Sequence, residues 1–251
     1  MNTTILLSTQ RSGTTFLDNK LNGMCGVKTH GGELISPSFY NKHNIGNLVK
    51  CDNLYDEKKH YKPRFYKSDH FEDNCYVEVN EDLLKSAVNK SEFAVFNLML
   101  NAIKHDINLA KSIKTPILFL IRKNQWSRCV SEQILTEGGT AHIKQKTENI
   151  EIKLNKEKII KNCERTHKKI VAFQKKLKNQ KNIKIIYYED IQNKEYWTDE
   201  FINELEDFMK VKFTNRNYIP PFKKTRNYVN IINEAEIMDE EYIKKYYIKE
   251  I

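Results

Sequence analysis

Five cysteines, Cys25, Cys51, Cys75, Cys129 and Cys163, are all this chain of 251 residues contains. They are odd in number, widely scattered and never in C-x-x-C order, which argues against a disulfide framework and against a cysteine zinc site. Free thiols are expected. No run of about 18 apolar residues occurs, so no membrane-spanning helix is expected. The early apolar stretch Ile5-Leu6-Leu7 has neither a basic flank before it nor a longer apolar region after it, unlike a secretory signal. A cytoplasmic protein without membrane attachment is the expectation. No internal repeat and no flexible linker interrupts the chain, and α/β domains can reach about 250 residues, so residues 1–251 are read as one domain.

What is present is an ordinary globular composition: 39% hydrophobic, 11% aromatic and 30% charged. Collagen-like, mucin-like and wholly disordered classes are thereby excluded. Lys and Arg number 42 against 33 Asp and Glu, a net charge of +9. The excess is concentrated, because residues 141–187 hold 14 basic and 4 acidic side chains. Such a segment suits a polyanionic partner, but many of its lysines fall on the outer face of an expected helix, where they are read as solvated. No helix-turn-helix, zinc-finger or RNA-binding signature accompanies them, so nucleic acid is not the expected partner.

Thr3 to Leu7 reads as a short buried strand. It breaks at the polar run Ser8 to Thr15, after which Phe16, Leu17 and Leu21 fit one helical face. From about residue 36 to 78 the pattern is irregular and rich in Tyr, Asn, Lys and His, an excursion suited to holding an acceptor. Glu81 to Val88 resembles a short helix, Phe93 to Phe96 a second strand, and the spacing of Leu98, Ala102, Ile103 and Leu109 another helix. Pro116 introduces a third strand, Ile117 to Ile121. Asn124 then stands as a helix N-cap before Trp126, Val130 and Ile134, with Gly138-Gly139 as the stop. A long helix is expected over Lys156 to Leu177, and a fourth strand over Ile183 to Tyr187, ending at Tyr188-Glu189-Asp190. Strands alternating with helices predict a parallel sheet covered on both faces, with ligands beyond the carboxyl ends of its strands.

The first strand, loop and helix have the ingredients of an anion cradle. Gly13 allows close backbone approach, the helix start presents N–H groups, Ser12, Thr14 and Thr15 add hydroxyls, and Arg11 adds charge. A nucleoside-triphosphate P-loop would require Gly at Ser8 and Lys at Thr14, so ATP hydrolysis is poorly supported.

Arg11-Ser12-Gly13-Thr14-Thr15-Phe16-Leu17 following a buried strand resembles the 5′-phosphosulfate loop of sulfotransferases that use 3′-phosphoadenosine 5′-phosphosulfate (PAPS). The family's second element, a basic residue at a strand end followed by a Ser in the next helix, resembles Ile117 to Arg122 and then Ser131. The resemblance implies that the basic residue holds the 3′-phosphate and that Ser131 adds a hydrogen bond. The common spacing is eight; Arg122 stands nine and Lys123 eight residues before Ser131, so either basic residue fits the role. Ile185 to Ile191 is similar to the family's strand ending in Tyr-Glu-Asp-Leu, which places Tyr188 near the adenine. Glu204 to Val211 looks like the family's late Phe-Leu-Gly-Val helix end, with Lys210 in place of the glycine. Lys223 and Lys224, with Arg226, are candidates to close over the cofactor.

The resemblance implies a three-layer α/β/α fold around a central parallel sheet, with the topology of P-loop NTPases and nucleotide kinases. It also implies PAPS as sulfuryl donor without a metal. The transfer needs a base for the acceptor hydroxyl. Glu33, in His30-Gly31-Gly32-Glu33-Leu34, stands where carbohydrate and tyrosylprotein sulfotransferases carry a Glu, whereas cytosolic small-molecule enzymes use a His elsewhere in the chain. His30 is the second candidate. The expected acceptor is a carbohydrate or other small molecule bearing a hydroxyl or amine. A P-loop kinase or NTPase, distinguished by Mg²⁺ dependence, is the rival enzyme. A non-catalytic nucleotide- or nucleic-acid-binding module, distinguished by salt-dependent retention, is the rival from another class.

Overall fold

The computed structural model describes residues 2–25, 30–33, 50–51, 75–76, 93–100, 116–138, 150–220 and 229–251. Its strands are β1 (Asn2–Ser8), β2 (His30–Glu33), β3 (Lys50–Cys51), β4 (Cys75–Tyr76), β5 (Phe93–Met99), β6 (Ile117–Ile121), β7 (Ile150–Ile152), β8 (Ile183–Tyr187) and β9 (Val229–Ile231). Its helices are α1 (Thr14–Cys25), α2 (Gln125–Gly138), α3 (Lys156–Leu177), α4 (Tyr188–Gln192), α5 (Asp199–Met209), α6 (Glu234–Ile237) and α7 (Glu240–Lys245). They group into two units that interleave along the chain, one from Met1–Ile121 and Lys178–Pro220, the other from Arg122–Leu177 and Pro221–Ile251.

The first unit is built on a five-stranded sheet in the order β2-β5-β1-β6-β8, with every neighbouring pair parallel. This is the expected parallel α/β arrangement. The chain leaves β1 towards β5 and β2, then crosses to the opposite side at β6. The carboxyl ends of β1 and β6 therefore form the switch point where such sheets bind ligands. Leu6, Leu118, Leu120 and Ile186 line one face and pack with Leu17, Leu21 and Met24 of α1 and with Ile202, Leu205 and Met209 of α5. On the other face Ile5, Leu7, Ile117 and Phe119 are equally buried, which explains why β1 and β6 read as unbroken apolar runs instead of alternating ones. Each such side chain contributes about 1.5–3 kcal/mol by leaving water.

Two local devices set the helices of this unit. Gly23 lies under the Tyr218 ring, with no room for a Cβ. Helix α5 is capped by Thr198, whose hydroxyl accepts from the Phe201 amide at 3.2 Å, and it ends at Lys210 in a left-handed conformation, φ 55°. From that helix Glu206, 1% exposed, accepts from the Phe213 amide at 2.8 Å, Lys212 Nζ at 3.0 Å and Arg216 Nη2 at 2.8 Å. Burial pushes its carboxyl up, but these donors outweigh burial and hold it below the usual carboxylate range.

The second unit packs α2, α3, α6 and α7 around Trp126, which is fully buried, donates from Nε1 to the Ile237 carbonyl at 2.8 Å and stacks on Tyr242 at 4.7 Å. Along α3 the inward residues are Ile159, Cys163, Ile170, Phe173 and Leu177, while Lys158, Lys161, Lys168, Lys175 and Lys176 are exposed. Lys169, part-buried between these faces, is lowered to about 8 by burial and by Arg165. Strands β7 and β9 form a short parallel ladder, Ile150 opposite Val229 and Ile152 opposite Ile231, that has no counterpart in the sequence expectations.

The strands expected at 117–121 and 183–187 and the helix expected at 156–177 are present with those bounds. The strand expected over Phe93–Phe96 runs on to Met99. His30–Glu33, read as a segment past the first helix, is an edge strand, because β5 supplies its pairing partner. Leu98, read as the start of a helix through Leu109, belongs to β5 instead. The rest of that helix from Ala102, the helix expected over 81–88, nearly all of the 36–78 excursion, and Lys223, Lys224 and Arg226 lie outside the described residues.

Candidate functional site

The loop from Thr9 to Gly13 joins β1 to α1 at the carboxyl end of the central strand. It turns tightly: the Ser12 amide donates to the Thr9 carbonyl at 3.3 Å and the two hydroxyls meet at 2.5 Å. Both side chains are buried. Ser12, expected as a hydroxyl donor to ligand, is buried with its hydroxyl against that of Thr9, a contact that ties the loop together. Arg11 has φ 61° and Gly13 φ 92°, with Ser12 between them in ordinary handedness. Alternating handedness is the backbone form from which anion nests are built, and here the Ser12 amide is bonded to the Thr9 carbonyl. Holding an arginine in the left-handed region costs about 1–2 kcal/mol, so this loop is built against local preference.

Helix α1 begins directly from this turn. The amides of Phe16 and Leu17 both bond to the Gly13 carbonyl, at 3.0 and 3.1 Å, which leaves the Thr14 and Thr15 amides ahead of the first intrahelical bonds. Thr15 is exposed and Thr14 partly so, and Arg11 is half-buried. Amides, two hydroxyls and one guanidinium on a turn at a helix start can receive a tetrahedral anion. The ring of Tyr188, opening α4 after β8, covers Gly13 so closely that a Cβ there would overlap it. Tyr188 also meets Phe16 edge-on at 6.3 Å and accepts from Gln192 Nε2 at 2.8 Å through its hydroxyl. It supports the loop from the side.

Glu33 closes β2, its Cα in register with Asn97 of β5, which is itself level with Leu6 of β1. Two strand spacings, about 10 Å, separate the Glu33 and Leu6 backbones. His30 pairs with Val95, level with Thr4, about 7 Å further from the end of the sheet where the loop emerges. Of the two base candidates, Glu33 has the backbone nearer that end.

In the second unit the corner after β6 begins with Arg122, half-buried, and Lys123, 8% exposed. Lys123 Nζ pairs with the Glu250 carboxylate, and its carbonyl accepts from the Gln125 and Ile248 amides at 3.0 and 2.9 Å. Asn124 caps α2 as expected, its Oδ1 accepting from the Ser127 amide at 2.9 Å. Ser131 follows Ser127 by four residues, which places the two hydroxyl residues on one face of α2. Sequence reading missed Gln125 and Arg128, two fully buried polar residues beneath this corner. Their i, i+3 spacing and the i, i+4 pair Arg128/Glu132 were the available signal. Among the described residues no group of three or more His, Cys, Asp or Glu is placed to hold a metal, and no helix is long and apolar enough to cross a membrane.

No protein-family model matches the chain. No curated protein matches it. Among solved structures it is similar to the sulfotransferase domain from the curacin biosynthetic pathway, at 14% identity and TM-score 0.43, over 99% of this chain and 92% of that one. It is also similar to retinol dehydratase in complex with androsterone and the inactive cofactor PAP, at 15% identity and TM-score 0.44, over 97% and 78%. A third similar structure is a sulfotransferase from Alicyclobacillus acidocaldarius, at 10% identity and TM-score 0.40, over 90% and 87%.

Proposed function

We propose that the chain is a PAPS-dependent sulfotransferase acting on an acceptor hydroxyl or amine of a carbohydrate or other small molecule. The observation that carries this reading is the β1–α1 loop, where Arg11 and Gly13 at positive φ shape an amide cradle at the switch point of a parallel sheet. PAPS, when bound, supplies an activated sulfuryl group. The loop amides with Thr14 and Thr15 hold its 5′ end, and Arg11 offsets charge that gathers on the leaving phosphate oxygens. Ser12 acts by keeping the turn closed. Tyr188 supports the loop with one edge of its ring and is assigned to the adenine side. Glu33 takes the proton of the acceptor as the sulfuryl group is transferred in line.

The 3′-phosphate is assigned to the corner after β6. Arg122 is assigned to it, with Lys123, whose ammonium pairs with Glu250, as the alternative, and Ser131 adds a hydrogen bond. Lys223 and Lys224 remain candidates to close over the cofactor. The interleaving of the two units along the sequence supports one functional domain over residues 1–251.

Thermal-shift titration tests the reading. Adenosine 3′,5′-bisphosphate should stabilise the protein well beyond AMP, and Arg122→Ala should weaken that response more than Lys123→Ala. Equal responses to both nucleotides, or a response to ATP with Mg²⁺ alone, would reject it. Labelled PAPS offered with glycan, phenol, amine and peptide acceptors identifies the substrate class.

A further inference from the structure

Arg128 is 0% exposed, on a helix whose first turn follows the Arg122 corner. Burying a guanidinium costs several kcal/mol before pairing, and a buried ion pair seldom stabilises more than apolar groups of the same size. Its contacts are directional. Nη1 donates to Glu132 Oε2 at 2.5 Å, Nη2 to Cys129 Sγ at 2.8 Å and Nε to Gln125 Oε1 at 2.7 Å. Glu132 is held in turn by Asn162 Nδ2 of α3 at 3.0 Å, and the Asn162 amide oxygen accepts from Thr166 at 3.2 Å. At the other end, Gln125 Nε2 donates to the carbonyl of Arg122. The Gln125 amide thus has one permitted orientation, oxygen to Arg128 and nitrogen to Arg122.

We propose that Gln125 and Arg128 are positioning residues for ligand recognition by Arg122. Their relay, anchored on α3, holds the Arg122–Lys123 peptide, the backbone from which the Arg122 side chain starts. Through Gln125 the relay reaches the Arg122 carbonyl, so its ordering effect is delivered at that peptide. The inference rests on the reading above, in which Arg122 receives the 3′-phosphate of the cofactor.

Comparing two nucleotides on Gln125→Glu separates positioning from stability. The new carboxylate still accepts from Arg128 but has no N–H for the Arg122 carbonyl. Binding of adenosine 3′,5′-bisphosphate and of AMP is measured by calorimetry, alongside the melting temperature, for wild type, Gln125→Glu, Arg128→Met and Arg122→Ala. The expected result is a loss of about tenfold in bisphosphate affinity for Gln125→Glu, with AMP affinity within about twofold at a temperature where the variant is folded. Adding Gln125→Glu to Arg122→Ala should produce no further loss. Gln125→Glu carries the test even where Arg128→Met fails to fold. A wild-type preference for the bisphosphate that survives in Gln125→Glu overturns this inference alone. A wild type without that preference overturns the cofactor reading and this inference with it.

Discussion

The ring of Tyr188 lies against the α-carbon of Gly13, so the residue that opens α4 sets the space available to the β1–α1 loop. Gly13→Ala meets two obstacles at once, a φ of 92° and the ring itself. It should destabilise the protein by about 2 kcal/mol or more and abolish nucleotide-induced stabilisation. Adding Tyr188→Ala removes the overlap but not the backbone strain, so denaturant melts of the double variant should show partial recovery.

Arg11 presents a backbone and a charge that can be tested apart. Arg11→Gly keeps the left-handed conformation at no steric cost, and Arg11→Ala does not. Both should lower single-turnover sulfuryl transfer by about 10²–10³, whereas Arg11→Gly alone should match wild type in melting temperature. Full activity in Arg11→Gly would show that the loop needs its shape and not the guanidinium.

Glu33→Gln removes a base and keeps size. With an acceptor in hand, transfer should fall by about 10²–10⁴ while adenosine 3′,5′-bisphosphate still binds. His30→Asn is the matched control. Loss of transfer in His30→Asn with retention in Glu33→Gln would exchange the two roles.

Glu206 is held below its ordinary range when folded, so the unfolded chain binds a proton more readily in acid. Its contribution is therefore complete above the ordinary Glu pKa of about 4.3 and is lost as pH falls through and below that value. Glu206→Gln should cost about 1–3 kcal/mol at pH 7 and flatten the acid limb of the stability curve. Urea melts at pH 7 and pH 3 measure both; an unchanged acid limb would remove Glu206 as its source.

Lys210 ends α5 at φ 55°, where a glycine carries no Cβ penalty. Lys210→Gly is expected to be more stable by about 0.5–1 kcal/mol, and Lys210→Val less stable by about 1–2 kcal/mol. Equal melting temperatures for the two would argue against the left-handed cap.

How far the sequence was legible follows from what each residue must do locally. β6 is an uninterrupted apolar run after a proline, and α3 repeats its apolar residues every three to four positions over 22 residues; both have the bounds their patterns indicate. β2 carries His-Gly-Gly-Glu, which has no strand pattern, and exists through pairing with β5. The Arg11 and Gly13 loop was legible as a polar, glycine-containing break after a strand, but the burial of Ser12 was not. A serine that satisfies Thr9 has the same sequence as one that awaits a ligand. Gln125 and Arg128 drew no sequence expectation, because nothing in a polar residue on a helix shows that packing will bury it. Lys123 matched the family spacing, yet its partner Glu250 stands far along the chain.

The chain has two tryptophans, and the interleaved units take one each, Trp197 in the first and Trp126 in the second. Their surroundings differ. Trp126 is fully buried against the rings of Tyr242 and Tyr246 with its indole nitrogen on a carbonyl, while Trp197 is part-buried beneath the Lys20 ammonium at 4.7 Å. Their emission should differ in colour and in accessibility to iodide. Two single-tryptophan proteins, made by Trp126→Phe and Trp197→Phe, therefore provide separate optical clocks for the two units, and refolding traces from each would reveal which one orders first.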